Sequence, residues 1–152
     1  MVKNFVSELA PTVPAVSATL TLRNDLAEIS RLAEAVEAFC EPLEPAMKAV
    51  LALQLALEES VTNVINHGYT DGQPHTFTVA LSASDGRITA VIDDDAPAYD
   101  PLARPEVDTS LPLELRPIGG LGVHLVKKLM DRAVYERRDG HNILTLERRL
   151  TA

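Results

Sequence analysis

"LEESVTNVINHGYTDG", residues 57–72, decides the reading of the chain. Leu57, Val61 and Val64 recur at helical spacing and predict a buried stripe. Glu59 and Asn63 stand four residues apart, so a helix brings their side chains together on another face. Asn66 and His67 extend that polar stripe by a turn, and Gly68 with "TDG" beyond it ends the helix. A carboxylate and an amide oxygen are hard ligands that suit Mg²⁺, directly or through water. A carboxylate can also take a proton from an attacking hydroxyl. The bland alternative is a polar face in water, and the stretch alone does not exclude it.

Working outward, the same helix starts near Glu44, with Pro45 in its first turn and Val50, Leu53 and Leu57 on its apolar side. Before it, "SATLTLRND" (17–25) alternates and predicts a strand. Asn24 or Asp25 can cap a helix running to about Phe39, with Leu26, Ile29, Leu32, Ala33 and Val36 facing the core. After it, "HTFTVALSAS" and "RITAVID" flank Asp85-Gly86, and "AVYERR" and "NILTLERRL" flank Asp139-Gly140. Both dipeptides are strong hairpin signals. The order β-α-α-β-β-loop-α-β-β predicts an α+β two-layer sandwich, with helices on one face of a mixed, mostly antiparallel sheet.

Two further stretches carry chemistry. "VIDDDAPAYD" (91–100) ends a strand in acids, where a carboxylate could accept the exocyclic amine of adenine. An acidic turn with Asp capping is the bland reading, and the spacing is not that of an EF-hand. "PIGGLGVHLV" (117–126) puts glycines at a helix start, where backbone N–H groups can approach an anion. No Gly-Lys-Ser/Thr follows, so it is not a Walker A loop. No β-α-β unit surrounds it, so it is not a dinucleotide fingerprint. Between these stretches, Pro97, Pro101, Pro105, Pro112 and Pro117 hold five of the ten prolines. So long a loop in a compact domain suggests a use such as a lid.

Composition narrows the classes. The 152 residues suit one domain, and 46% apolar with 24% charged residues is ordinary for a globular protein. Fourteen Lys and Arg against 22 Asp and Glu give a formal net charge of −8, which argues against direct nucleic-acid binding. Cys40 is the only cysteine, which suits a reducing cytoplasm. Glu8 and two prolines interrupt the N-terminal stretch where a signal peptide needs an apolar run, and no segment reads as a membrane span.

Taken in order, "EESVTNVINHGY", "DDDAPAYDP" and "GGLGVHLVKKLMD" resemble the N-box and the two Gly boxes of the GHKL superfamily with its Bergerat ATP-binding fold. The resemblance covers about residues 17–150. It is nearest to the anti-sigma-factor serine/threonine kinases of bacterial partner switching. It implies residues 1–16 as an arm, 17–150 as one histidine kinase-like ATP-binding domain, and 97–118 as its lid. It implies Glu59 as general base, Asn63 as Mg²⁺ ligand, and Asn66 and His67 near the phosphates. It implies Asp94 as the adenine-reading aspartate followed by Asp95 and Ala96, although Asp93, Asp94 and Asp95 are contiguous and a slip of one residue would change the contact. Gly119, Gly120, Leu121, Gly122 and Val123 would face the triphosphate.

The implied function is an ATP- and Mg²⁺-dependent kinase that phosphorylates a serine of a STAS-type anti-anti-sigma protein and sequesters a sigma factor in stress-linked transcription control. A homodimer is implied too, with partners on the first strand and helix. Arg31 lies there among Glu28, Glu34 and Glu37 and reads as an intrahelical pair former. The alternative is a nucleotide-binding regulatory module with little or no kinase activity. A histidine-kinase catalytic domain ranks last, because no helical phosphoacceptor segment is present. The chain departs from the family's D-x-G-x-G in having Ala96 and Ala98. If Ala96 needs positive φ, the methyl costs about 1 kcal/mol or more, and Ala96→Gly would raise ATP affinity.

Overall fold

Two Asp-Gly turns organise the sheet. Asp85 and Gly86 have φ of 52° and 75°, and Asp139 and Gly140 have 52° and 81°. Positive φ at both central residues gives the turn whose twist matches that of paired strands. The computed structural model describes residues 16–103, 110, 112 and 120–151, with backbone alone for 120–124. The expected arm up to residue 15, most of the expected lid, and Gly119 lie outside the described residues.

The strands are β1 (Val16–Arg23), β2 (Thr76–Ser84), β3 (Arg87–Asp94), β4 (Arg132–Arg138) and β5 (His141–Arg149). They form one sheet in the order β1-β2-β3-β5-β4. Every pairing among the described strands is antiparallel. Among the described residues three α-helices accompany the sheet: α1 (Glu28–Cys40), α2 (Met47–Asn63) and α3 (Gly120–Leu129). Phe77, Val79 and Leu81 of β2 and Ile88, Ala90 and Ile92 of β3 are buried with Leu32, Val36, Leu53 and Leu57 of the helices. Strand alternation then carries Asp94 onto the same inward face as Ile88, Ala90 and Ile92.

Both long helices differ from expectation at their ends. Asp25 does bond the Ala27 N–H at 2.9 Å, but the helix begins only at Glu28. Leu26 therefore sits in a turn and is exposed rather than on the buried stripe. Asn24 serves another purpose, tying β1 to the entry of β2. Its side chain donates to the Gln73 carbonyl at 3.0 Å and accepts from the His75 N–H at 2.9 Å. Helix α2 starts three residues later than Glu44. Glu44 has φ of 49° and Ala46 is extended, so the chain at Pro45 is not yet helical. Its far end is also altered: from Val64 to Gly68 it widens into a π-turn. Such turns break regular helix geometry and concentrate at functional sites.

The junction of β1 and α1 rests on Glu28. This buried carboxylate accepts the Arg23 N–H at 2.9 Å and Arg31 Nη1 at 3.1 Å. Arg31 also donates to the Thr21 carbonyl at 2.8 Å, so its guanidinium fastens the helix to the strand. The Arg23 N–H, then the two arginine charges, hold the Glu28 carboxyl below the usual range against the opposing effect of burial. Among the described residues no helix is long and apolar enough to cross a membrane.

A carboxylate whose folded pKa lies below its unfolded value stabilises the fold at neutral pH, and the benefit fades as pH falls through the folded pKa. Glu28→Ala should therefore cost about 2 kcal/mol at pH 7, typical for hydrogen bonds to a charged group. Urea melts of both proteins should converge as the pH is lowered through the acid range. An equal gap at every pH would remove Glu28 as the anchor.

Candidate functional site

Beneath the end of β3 lies a pocket of about 450 Å³, counting its open mouth. Ser60, Asn63, Val64 and Gly68 supply its helical wall, and Ile92, Asp94, Asn142 and Leu144 its sheet wall. Tyr99, Pro101 and Tyr135 close the side. A smaller adjoining cleft shares Ser60, Asn63, Pro101 and Leu144 and adds Leu102 and Val126 of α3.

Asp94 is the buried charge of this pocket. Its Oδ1 accepts the Ala96 N–H at 3.0 Å and the Asn142 amide at 2.9 Å. Burial pushes its carboxyl above the usual range, and those two hydrogen bonds pull it back. The neighbouring acids go elsewhere. Asp93 points to the opposite face of the sheet and meets His141 Nδ1 at 2.6 Å. Asp95 accepts the Tyr69 hydroxyl at 2.7 Å, which holds it below the usual carboxylate range. Burial, with Asp95 adding to it, raises the Tyr69 phenol well above its ordinary value. Tyr69 in turn stacks on His75, ring centroids 4.3 Å apart. The three contiguous aspartates are thus sorted onto three different partners, and Asp94 alone enters the pocket.

The N-box residues are split. Asn63 lines the pocket, one turn beyond Glu59, whose half-exposed carboxylate is not among the lining residues. Glu59 has no hydrogen-bond or ion-pair partner among the described residues. Asn66 and His67 are exposed and lie outside the lining, because the widened turn presents Val64 and Gly68 instead. Gly120, Leu121, Gly122 and Val123 form the first turn of α3.

Ala96 corrects one expectation. The described non-glycine residues at positive φ are Glu44, Asp85 and Asp139, so Ala96 is not strained. It is buried, and a Cβ built on Gly68 would come within 3.4 Å of the Ala96 Cβ. The methyl of one residue fills the space left by the other.

Asn142, Arg137, Tyr135 and Tyr99 were not singled out from the sequence. One signal was available. In "HNILTLERR" the inward positions are Asn142, Leu144 and Leu146, and a polar residue within an apolar alternation calls for a buried partner. The partner, Asp94, lies directly opposite in the β3–β5 register.

A family model described as the histidine kinase-like ATPase domain matches residues 22–148. Serine/threonine-protein kinase BtrW of Bordetella bronchiseptica is 32% identical over 94 residues, covering 62% of this chain and 66% of that protein. An anti-sigma F factor of Clostridium novyi is 29% identical over 106 residues, covering 64% of this chain and 68% of that protein. The match thus spans about two thirds of the length of each relative. The structure of the RsbU and RsbW domains of Rv1364c from Mycobacterium tuberculosis aligns with a TM-score of 0.64. It does so at 18% identity, over 90% of this chain and 33% of that one, a likeness of fold.

Because Ala96 is relaxed and buried, Ala96→Gly should destabilise the protein by about 1–2 kcal/mol, through a lost methyl contact and a freer unfolded backbone. Urea denaturation measures this. A stabilised glycine variant would mean that the backbone at this position is strained after all.

Proposed function

The chain belongs to the histidine kinase-like ATPase domain family, and from that premise we propose that it is an ATP-dependent serine/threonine protein kinase of the anti-sigma-factor type. Its protein substrate would be a STAS-type anti-anti-sigma protein, and it would hold a sigma factor inactive, acting as a homodimer. The observation that carries this reading is the buried Asp94, with Oδ1 held by two protein donors and Oδ2 given none among the described residues. Adenine presents an exocyclic N–H donor that such an acceptor suits, whereas guanine places a carbonyl there.

The residues fit a magnesium ion held chiefly by phosphates and water. Among the described residues no group of three or more His, Cys, Asp and Glu is placed to hold a metal. Mg²⁺ in nucleotide sites takes one or two protein oxygens and keeps the rest for phosphates and water, and the Asn63 amide oxygen at the pocket wall can be one of them. When bound, the ion would neutralise phosphate charge. The chain's own contribution is placement. Asp94 fixes the base, and the backbone N–H groups at the start of α3 would face the phosphates. Glu59 would accept the proton of the substrate serine as its oxygen bonds to the γ-phosphorus. The bond from that phosphorus to the bridging oxygen breaks, and ADP leaves with the electron pair.

A second reading draws on the absence of Glu59 from the pocket lining. In it, nucleotide sets partner choice without phosphoryl transfer.

Incubation with labelled ATP, Mg²⁺ and a STAS-type antagonist separates the two. Transfer to an antagonist serine is expected. Glu59→Gln should bind ATP near-normally and transfer about 10²-fold or more slowly. An unchanged rate would leave Glu59 as a solvated side chain. Asp94→Asn keeps a carbonyl oxygen for both protein donors and removes a buried charge. At pH 7 it should be at least as stable as the parent, yet lose ATP affinity by about 1.5–3 kcal/mol. Undiminished affinity by calorimetry would remove Asp94 from the site.

A further inference from the structure

The Asn142 carboxamide is engaged on both sides. Its nitrogen donates to Asp94 Oδ1 at 2.9 Å and lies 3.1 Å and 3.3 Å from the carbonyls of Pro97 and Ala96. Its oxygen accepts the Tyr135 hydroxyl at 2.6 Å, with the Tyr99 N–H and Arg137 Nη1 both at 3.2 Å. Arg137 Nη1 also donates to the Ala96 carbonyl at 2.8 Å. A flipped amide would set its N–H groups against the Tyr99 N–H and a guanidinium, and its oxygen against a carboxylate and two carbonyls. The surroundings therefore fix one orientation.

Two consequences follow. A carboxylate has two near-equivalent oxygens and a broad, two-fold torsion, so an unheld Asp94 could turn either oxygen to the pocket or to water. With Oδ1 taken, Oδ2 is the acceptor offered. The same amide also fastens the segment from Ala96 to Tyr99 to β5 at three backbone groups, so the rim of the pocket is held with it. Resting on the reading of this pocket as an ATP site, we propose that Asn142 is the positioning residue for base selection. It aims Asp94 Oδ2 at the exocyclic amine and touches no reacting atom itself.

The effect should appear as a ratio. ATP and purine riboside triphosphate differ by the amine alone, so dividing their dissociation constants isolates the contact that Asp94 makes. Calorimetry on the full chain with Mg²⁺ should give the parent a preference for ATP of about tenfold or more, the worth of one hydrogen bond to a charged acceptor. In Asn142→Ala the preference should fall below about threefold, chiefly through weaker ATP binding, while the amine-free triphosphate changes little. Asn142→Leu fills the same volume in an apolar stripe and should read the same, which covers an alanine variant that fails to fold. Asn142→Thr returns a donor to Asp94 and should restore the preference.

Equal weakening of both nucleotides, with the ratio of the parent kept in the Ala and Leu variants, overturns the proposal and leaves Asn142 a support of the fold. So does a folded threonine variant without preference. A parent that binds both triphosphates equally well sinks the ATP reading of Asp94 together with it.

Discussion

One buried carboxylate organises this end of the molecule. Asp94 occupies a position in β3 whose strand neighbours on the same face are Ile88, Ala90 and Ile92. An ionised carboxylate in such a place costs several kcal/mol unless donors surround it. They come from its own loop, through the Ala96 N–H, and from the facing strand, through Asn142. The second requires β5 to lie beside β3 in a register that sets Asn142 opposite Asp94. The β4–β5 hairpin then brings Tyr135 and Arg137 to the far side of the same amide. Sheet order, hairpin turn and pocket chemistry are thus linked through one side-chain pair.

The loop leaving β3 is shaped from the helical side as well. The π-turn after α2 brings Gly68 against Ala96, and Tyr69 immediately beyond it binds the Asp95 carboxylate and backbone N–H. Stacking of Tyr69 on His75, and the pairing of Asn24 with His75, continue the support to β1. Ala96 is fixed from three directions: by Asn142, by Arg137 and by the helix end. A methyl at this position is therefore part of the packing, where the sequence resemblance had suggested a residue in conflict with its backbone.

In the proposed reading, that of an enzyme that works by positioning, such rigidity has a function. Phosphoryl transfer asks for a held base, neutralised phosphates and an aligned nucleophile, with little covalent work for the protein. In the proposed reading the sheet side of the pocket holds the base, and the helical side supplies Asn63 and, one turn back, Glu59. The protein is strongly acidic, at −8. Attraction for a triphosphate would then come from local donors, the helix start and a bound cation rather than from the overall field.

The sequence by itself determined the element order, both Asp-Gly hairpins, and the family to which the three boxes point. Those features are local: a period of two, a period near 3.6, and turn chemistry at fixed offsets. Only the tertiary structure decided which of Asp93, Asp94 and Asp95 faces the pocket, since that depends on the phase of β3 against the helices. It alone joined Asn142 to Asp94, 48 residues away, through a strand register that no short window contains. It also separated Asn63 from Asn66 and His67, left Leu26 in solvent, and placed Ala96 at relaxed φ. Each of those outcomes rests on where a helix starts, widens or meets another element, and packing sets that more strongly than local propensity does.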